Sequence, residues 1–151
     1  MKNTSNYDER QLIEQGRIFK QSFFFLASLI VVNAILKQIT GIVWADDNCS
    51  ELIILIIPAC YTTIRLIWKD AYNNVDCSKI NPGLIMMGAL GLLQLCSNAT
   101  EIAIGKTNFI LKGQLTIHGA WIILGSCLLL TCFVHLVKVI KDKRANLNED
   151  E

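Results

Sequence analysis

Charged residues fall along this chain in blocks, and the gaps between the blocks are apolar. Four stretches hold no Asp, Glu, Lys or Arg: Gln21–Leu36, Leu52–Ile64, Ile80–Thr100 and Gly113–Val137, which are 16, 13, 21 and 25 residues long. A helix needs about 20 apolar residues to cross the hydrocarbon core of a bilayer, with a range of about 17–25. The fourth stretch meets this outright. The first reaches it if Lys37 snorkels and the helix runs on to about residue 40, the second if Arg65 snorkels and Leu66, Ile67 and Trp68 complete it. The third is dense only over Leu84–Leu95, which spans about 18 Å as a helix. It needs Cys96, Ser97, Asn98, Ala99 and Thr100 to finish the crossing. The run from Phe23 to Val32 and the run from Leu52 to Ile57 are apolar on every side, without the polar stripe that each helix of a soluble bundle presents. The pattern predicts an all-α polytopic membrane protein, one domain over 1–151. Its four transmembrane helices lie at about 20–40, 51–68, 82–103 and 115–138, with a cytoplasmic helix within 1–19 and a cytoplasmic tail over 139–151.

Composition narrows the reading. The chain is 18% charged, below the roughly 25% of soluble domains. Its net charge of +1 argues against a nucleic-acid partner held by bulk positive charge. The basic residues are unevenly placed. Eleven of them (Lys2, Arg10, Arg17, Lys20, Arg65, Lys69, Lys79, Lys138, Lys141, Lys143 and Arg144) fall on the side of the two termini, and three (Lys37, Lys106 and Lys112) on the other. By the positive-inside rule both termini are cytoplasmic. Twenty mostly polar residues ahead of the first apolar run argue against a cleaved signal peptide. Arg10, Glu14 and Arg17 share one face of the N-terminal helix and can pair along it. Pro58 sits inside helix two; Asn81-Pro82 supplies an N-cap and a first-turn proline for helix three. Gly88 and Gly91 leave room there for a neighbouring backbone.

Candidate chemistry is sparse. Cys49 lies outside the apolar runs and Cys96 near the outer surface, and spacing leaves open whether they pair. The other cysteines read as small packing residues. No Cys-x-x-Cys or His-x-x-x-His spacing occurs, so no metal site, cofactor or catalytic residue is assigned. Gln94, Asn98 and Glu101 share one face of helix three, and His118 opens helix four; if the stripe is a polar path, Glu101 and His118 are its outer pair. Cys127, Thr131, His135 and Lys138 make a second stripe toward the cytoplasmic side, and Asn33 is a lone polar group in helix one. Such stripes serve either interhelical hydrogen bonding or a polar path between helices. At the inner face, Arg10, Arg17, Arg65 and Lys69 are candidates for contact with a partner or anionic lipid, with Asp70, Asp76 or Glu14 as partners for Arg65.

Two stretches carry a resemblance: Asp8-Glu9-Arg10-Gln11 at the start, and Glu51 to Leu55 running on to Ile64-Arg65-Leu66-Ile67-Trp68. Over residues 8–70 the chain resembles a family of small uncharacterised membrane proteins of Gram-positive bacteria, a domain of unknown function. That likeness implies a location in the bacterial cytoplasmic membrane and a topology of about four helices, and no activity. The expected function is therefore a non-enzymatic interaction or regulatory component embedded in the bilayer. Its partners would be lipid and a protein at the cytoplasmic face, with homo-oligomers as a further option. The alternative is a small oligomeric transporter or channel subunit that uses the stripe on helix three.

Overall fold

The structure, a computed structural model, describes residues 9–72 and 80–149; at Asp47, Asn48, Asn146, Asn148 and Glu149 it describes the backbone alone. Asp8 of the N-terminal motif, Lys2, Asp76, Cys77 and Lys79 lie outside the described residues. The chain forms α1 (Glu9–Ile35), α2 (Asp47–Trp68), α3 (Pro82–Ala103) and α4 (Ile117–Glu149), with a short hairpin of β1 (Ile110–Leu111) and β2 (Gln114–Leu115) ahead of α4. All four helices are long and apolar enough to cross a membrane.

The helix ends follow from local chemistry. α1 widens into a π-turn over Leu36–Thr40 and stops at Gly41, whose φ of 65° lets its N–H reach the Leu36 carbonyl. Asn81 caps α3 by accepting the Gly83 N–H at 2.9 Å, with Pro82 in the first turn. This is the cap the sequence predicts. α2 ends in a Schellman motif: the Ala71 N–H bonds the Leu66 carbonyl at 2.9 Å and the Asp70 N–H bonds the Ile67 carbonyl at 3.3 Å. Asp70 takes the left-handed position of that motif, with φ 53°.

Two boundaries differ from expectation. α4 continues past residue 138 to Glu149, because Lys141 to Ala145 are good helix formers and no Gly or Pro follows. Helix four begins at Ile117 and not at about 115, because Leu115 belongs to the hairpin. Lys112 and Gly113 both have positive φ, 51° and 81°, the signature of a type I′ turn.

The helices pack in a row, with α1 on α2, α2 on α4, and α4 on α3. The last helix in the chain is therefore an inner one, beside α2. Gly91 and Gly125 set the tightest seam. A Cβ on Gly91 would stand 2.8 Å from the Gly125 carbonyl oxygen, and one on Gly125 would stand 2.9 Å from that of Gly91. The backbones of α3 and α4 touch directly, as small residues permit in membrane helix pairs.

A row buries little. Its buried apolar residues gather at its two ends. One cluster holds Ala45, Cys49, Ile53 and Ala120; the other holds Ile18, Leu66 and Ala71. Between them large apolar side chains face outward, with Phe23 66%, Leu93 67% and Phe133 63% exposed. At the first end, the Leu115 N–H bonds the Trp44 carbonyl and the Asp46 N–H bonds the Leu115 carbonyl, which ties the α1–α2 connection to the hairpin. Trp44 Nε1 donates to Asn33 Oδ1 at 2.8 Å, so Asn33 has a partner and is not a lone polar group. Cys49 is 2% exposed within this cluster and Cys96 is exposed, and both are free thiols. The two do not pair.

Candidate functional site

Polar side chains collect at both ends of the row. At the hairpin end, Asn98 is buried on α3; its amide donates to the Gln94 carbonyl at 2.8 Å. Its Oδ1 lies 3.1 Å from His118 Nδ1, and Glu101 Oε2 lies 3.2 Å from the same nitrogen. Two oxygens around Nδ1 put the proton on that nitrogen. The structure thus brings Asn98, Glu101 and His118 together, while Gln94 contributes its backbone carbonyl. The cluster clasps α3 to α4 with its own groups satisfied.

The other end is built around the C-terminus of α2. Three carbonyls there are taken by side chains from two other helices. The Gln11 amide of α1 donates to the Asp70 carbonyl at 2.9 Å, and the Gln15 amide donates to that of Ala71. Lys138 of α4 donates to the Trp68 carbonyl at 3.4 Å and to Asp70 Oδ2 at 2.7 Å. A cation at the negative end of a helix is electrostatically favoured, which helps hold Lys138 with only 10% of its side chain exposed. One turn earlier on α4, His135 is fully buried and its Nε2 accepts the Asn81 N–H at 3.0 Å. That bond fixes the start of α3 against α4.

This junction revises the expected ion pairs. Asp70 belongs to Lys138, not to Arg65. Arg65 instead donates to Gln21 Oε1 at 3.4 Å and stacks 5.8 Å from the Tyr61 ring centroid, within the α1–α2 seam. Arg17 pairs with Glu14 at 2.8 Å. Beside the junction lies a cleft of about 200 Å³, lined by Arg10, Gln11, Glu14, Lys69 and Asp70. Of the four expected inner-face residues, Arg10 and Lys69 line it. Arg17 reaches it only through Glu14, and Arg65 does not line it. Both carboxylates of the cleft are engaged elsewhere, Glu14 by Arg17 and Asp70 by Lys138. Arg10 and Lys69 are exposed and have no ion-pair partner among the described residues. Among the described residues the cleft therefore presents two cations without an ion-pair partner.

Sequence reasoning missed Gln11, Gln15 and the Asp70–Lys138 bond. The signal was the short polar spacing Gln11-x-x-x-Gln15, one helical turn apart, opposite a helix end at Trp68-Lys69-Asp70. Among the described residues no group of three or more His, Cys, Asp or Glu could hold a metal ion.

Comparison with known proteins adds a family and no activity. A family model described as a family of unknown function, DUF6773, matches residues 1–151, so the match extends through the second half of the chain. No curated protein and no solved structure matches.

Proposed function

The chain belongs to this family of unknown function, and from its own geometry we propose that it is a non-enzymatic component of a bacterial cytoplasmic membrane. In this reading it spans the bilayer four times, keeps both termini inside, and docks an acidic segment of a partner protein in the Arg10–Lys69 cleft. The observation that carries the docking site is the charge balance of that cleft among the described residues, where both carboxylates are spent and both cations are not.

Membrane residence is supported by the exposed apolar faces of the row. Such faces in water would be far larger than the patches that monomeric proteins tolerate. The orientation is supported by the end at which the basic residues lie. Arg10, Arg17, Arg65, Lys69, Lys138 and Lys141 surround the junction, and Lys37, Lys106 and Lys112 sit at the hairpin end. The transport alternative has less support. The polar clusters at the two ends are separated by the backbone contact at Gly91 and Gly125, and the Asn98 cluster is closed by its own hydrogen bonds.

The test is charge reversal at Arg10 and Lys69 together, followed by in-cell crosslinking and co-purification. A roughly tenfold loss of the co-purified partner is expected, at unchanged membrane yield and unchanged Tm. An identical set of crosslinks from the reversed protein would remove the cleft as the docking surface.

A further inference from the structure

The seam between α1 and α2 is closed at the junction end and open toward the hairpin end. Ile18 packs on Leu66 and Ala71, Ser22 Oγ lies 2.7 Å from Thr62 Oγ1, and the Phe25 and Tyr61 rings meet edge to face at 5.8 Å. Beyond these contacts hollows open between α1 and α2, and the Asn33–Trp44 bond ties α1 to the connection that leads into α2. Between the two ties lies a groove of about 490 Å³, bounded by Leu26, Ile30 and Leu55, with Lys37 and Glu51 at its mouth. A second hollow of about 430 Å³ shares Leu26 and Leu55 with it and runs on under Phe19 and Phe23 toward Pro58. Each volume falls within the roughly 300–1,000 Å³ of small-molecule sites. The linings are mostly aliphatic, with Phe19 and Phe23 in the second hollow and Asn33 and Gln38 beside Lys37 and Glu51 in the first, so most of the occupant is hydrocarbon.

The mouth has a different character. Lys37 and Glu51 carry opposite charges, line the same opening, and form no ion pair with each other or with any other described residue. We propose that this groove holds a phospholipid whose headgroup bears both a phosphate and a primary ammonium, with one acyl chain along Leu26 and Leu55. The phosphate lies against Lys37 and the ammonium donates to Glu51. The inference rests on the membrane reading above and is independent of the Arg10–Lys69 cleft. A phosphatidylglycerol headgroup satisfies Lys37 but offers Glu51 only neutral hydroxyls, which make weaker bonds than an ammonium. A choline headgroup has no N–H to give Glu51. Headgroup preference is therefore the property that separates a built site from the general lipid shell.

Native mass spectrometry of the detergent-purified full chain, given equal amounts of phosphatidylethanolamine, phosphatidylglycerol and phosphatidylcholine with matched acyl chains, tests this. Phosphatidylethanolamine is expected to be the adduct that survives activation. Lys37→Gln with Glu51→Gln should lower its occupancy roughly tenfold, as expected for lost charge-assisted hydrogen bonds. Leu55→Trp, at a side chain 63% exposed and therefore safe for the fold, should lower it by filling the groove. Lys106→Gln at the same end should not change it. Equal retention of the three lipids, or an unchanged adduct in the double variant, overturns the proposal. So does a dimer crosslinked through Leu55→Cys, which would make a second copy the occupant. A chain recovered without detergent in the soluble fraction overturns the membrane reading as well. A membrane-bound chain without headgroup preference overturns the lipid site alone.

Discussion

Asp70 occupies a backbone conformation that glycine usually fills, at φ 53°. A side chain there costs about 1–2 kcal/mol, and its carboxylate returns a bond to Lys138 at 2.7 Å. Asp70→Ala keeps the strain and loses the bond. It leaves Lys138 with the Trp68 carbonyl at 3.4 Å and Asp142 at 3.8 Å. We expect it to lower stability by about 1–3 kcal/mol, read as Tm in detergent. Asp70→Gly should lose about 1 kcal/mol less, because it relieves the strain. Asp70→Ala with Lys138→Met should also be milder than Asp70→Ala alone, since no buried ammonium is left short of a partner. If the double variant is the worst of the three, the ion pair is not what holds this turn. The sequence showed Asp70 and Lys138 only as charges near helix ends. Which cation faced which anion depended on α4 packing against α2, and no spacing within one helix reports that. Glu101 and His118 were easier, because each sits at the hairpin end of its own helix with a single connection between them.

At the scale of an element, the contact between α3 and α4 tolerates no side chain at Gly91. Its neighbours there are a carbonyl oxygen and a backbone nitrogen as well as Leu128, none of which is the free end of a flexible chain. Gly91→Ala should cost about 1–3 kcal/mol by overpacking. Gly16→Ala, with nothing within 4 Å, should stabilise α1 by about 0.5–1 kcal/mol. Thermal unfolding of the two variants side by side checks both signs. The helices themselves were legible because charge-free length is what a membrane span requires. α3 was the hard case, and it is completed by its polar residues. Asn98 bonds the Gln94 carbonyl and Thr100 bonds that of Ser97, so these side chains find partners within the helix, which runs to Ala103. The hairpin went unread because Gly113 and Gln114 carry no charge and join the apolar run behind them. The Lys112-Gly113 pair between Leu111 and Leu115 was the available turn signal. The end of α4 went unread because the loss of apolar residues was taken as the loss of helix, and those are separate properties.

For the whole molecule, the proposed orientation can be tested directly. An impermeant thiol reagent applied to whole cells should label Lys106→Cys, an exposed position at the hairpin end. The native Cys49, 2% exposed, should stay unlabelled until the protein is denatured. Labelling of Lys106→Cys only after the cells are broken open would invert the topology. The order of the row, α1-α2-α4-α3, was not legible. Neighbours in the chain are favoured as packing partners, and α1–α2 and α3–α4 follow that; the departure is that α2 packs on α4 in place of α3. That order has a consequence for synthesis. α1 and α2 can associate as soon as they emerge, but α3 has nothing of its own to pack on until Gly125 and Cys132 of α4 arrive. For the time it takes to make α4, the strip around Gly88 and Gly91 is open to any helix nearby. A ribosome that stops short of residue 125 releases an unclaimed third helix, with its strip of small residues left uncovered.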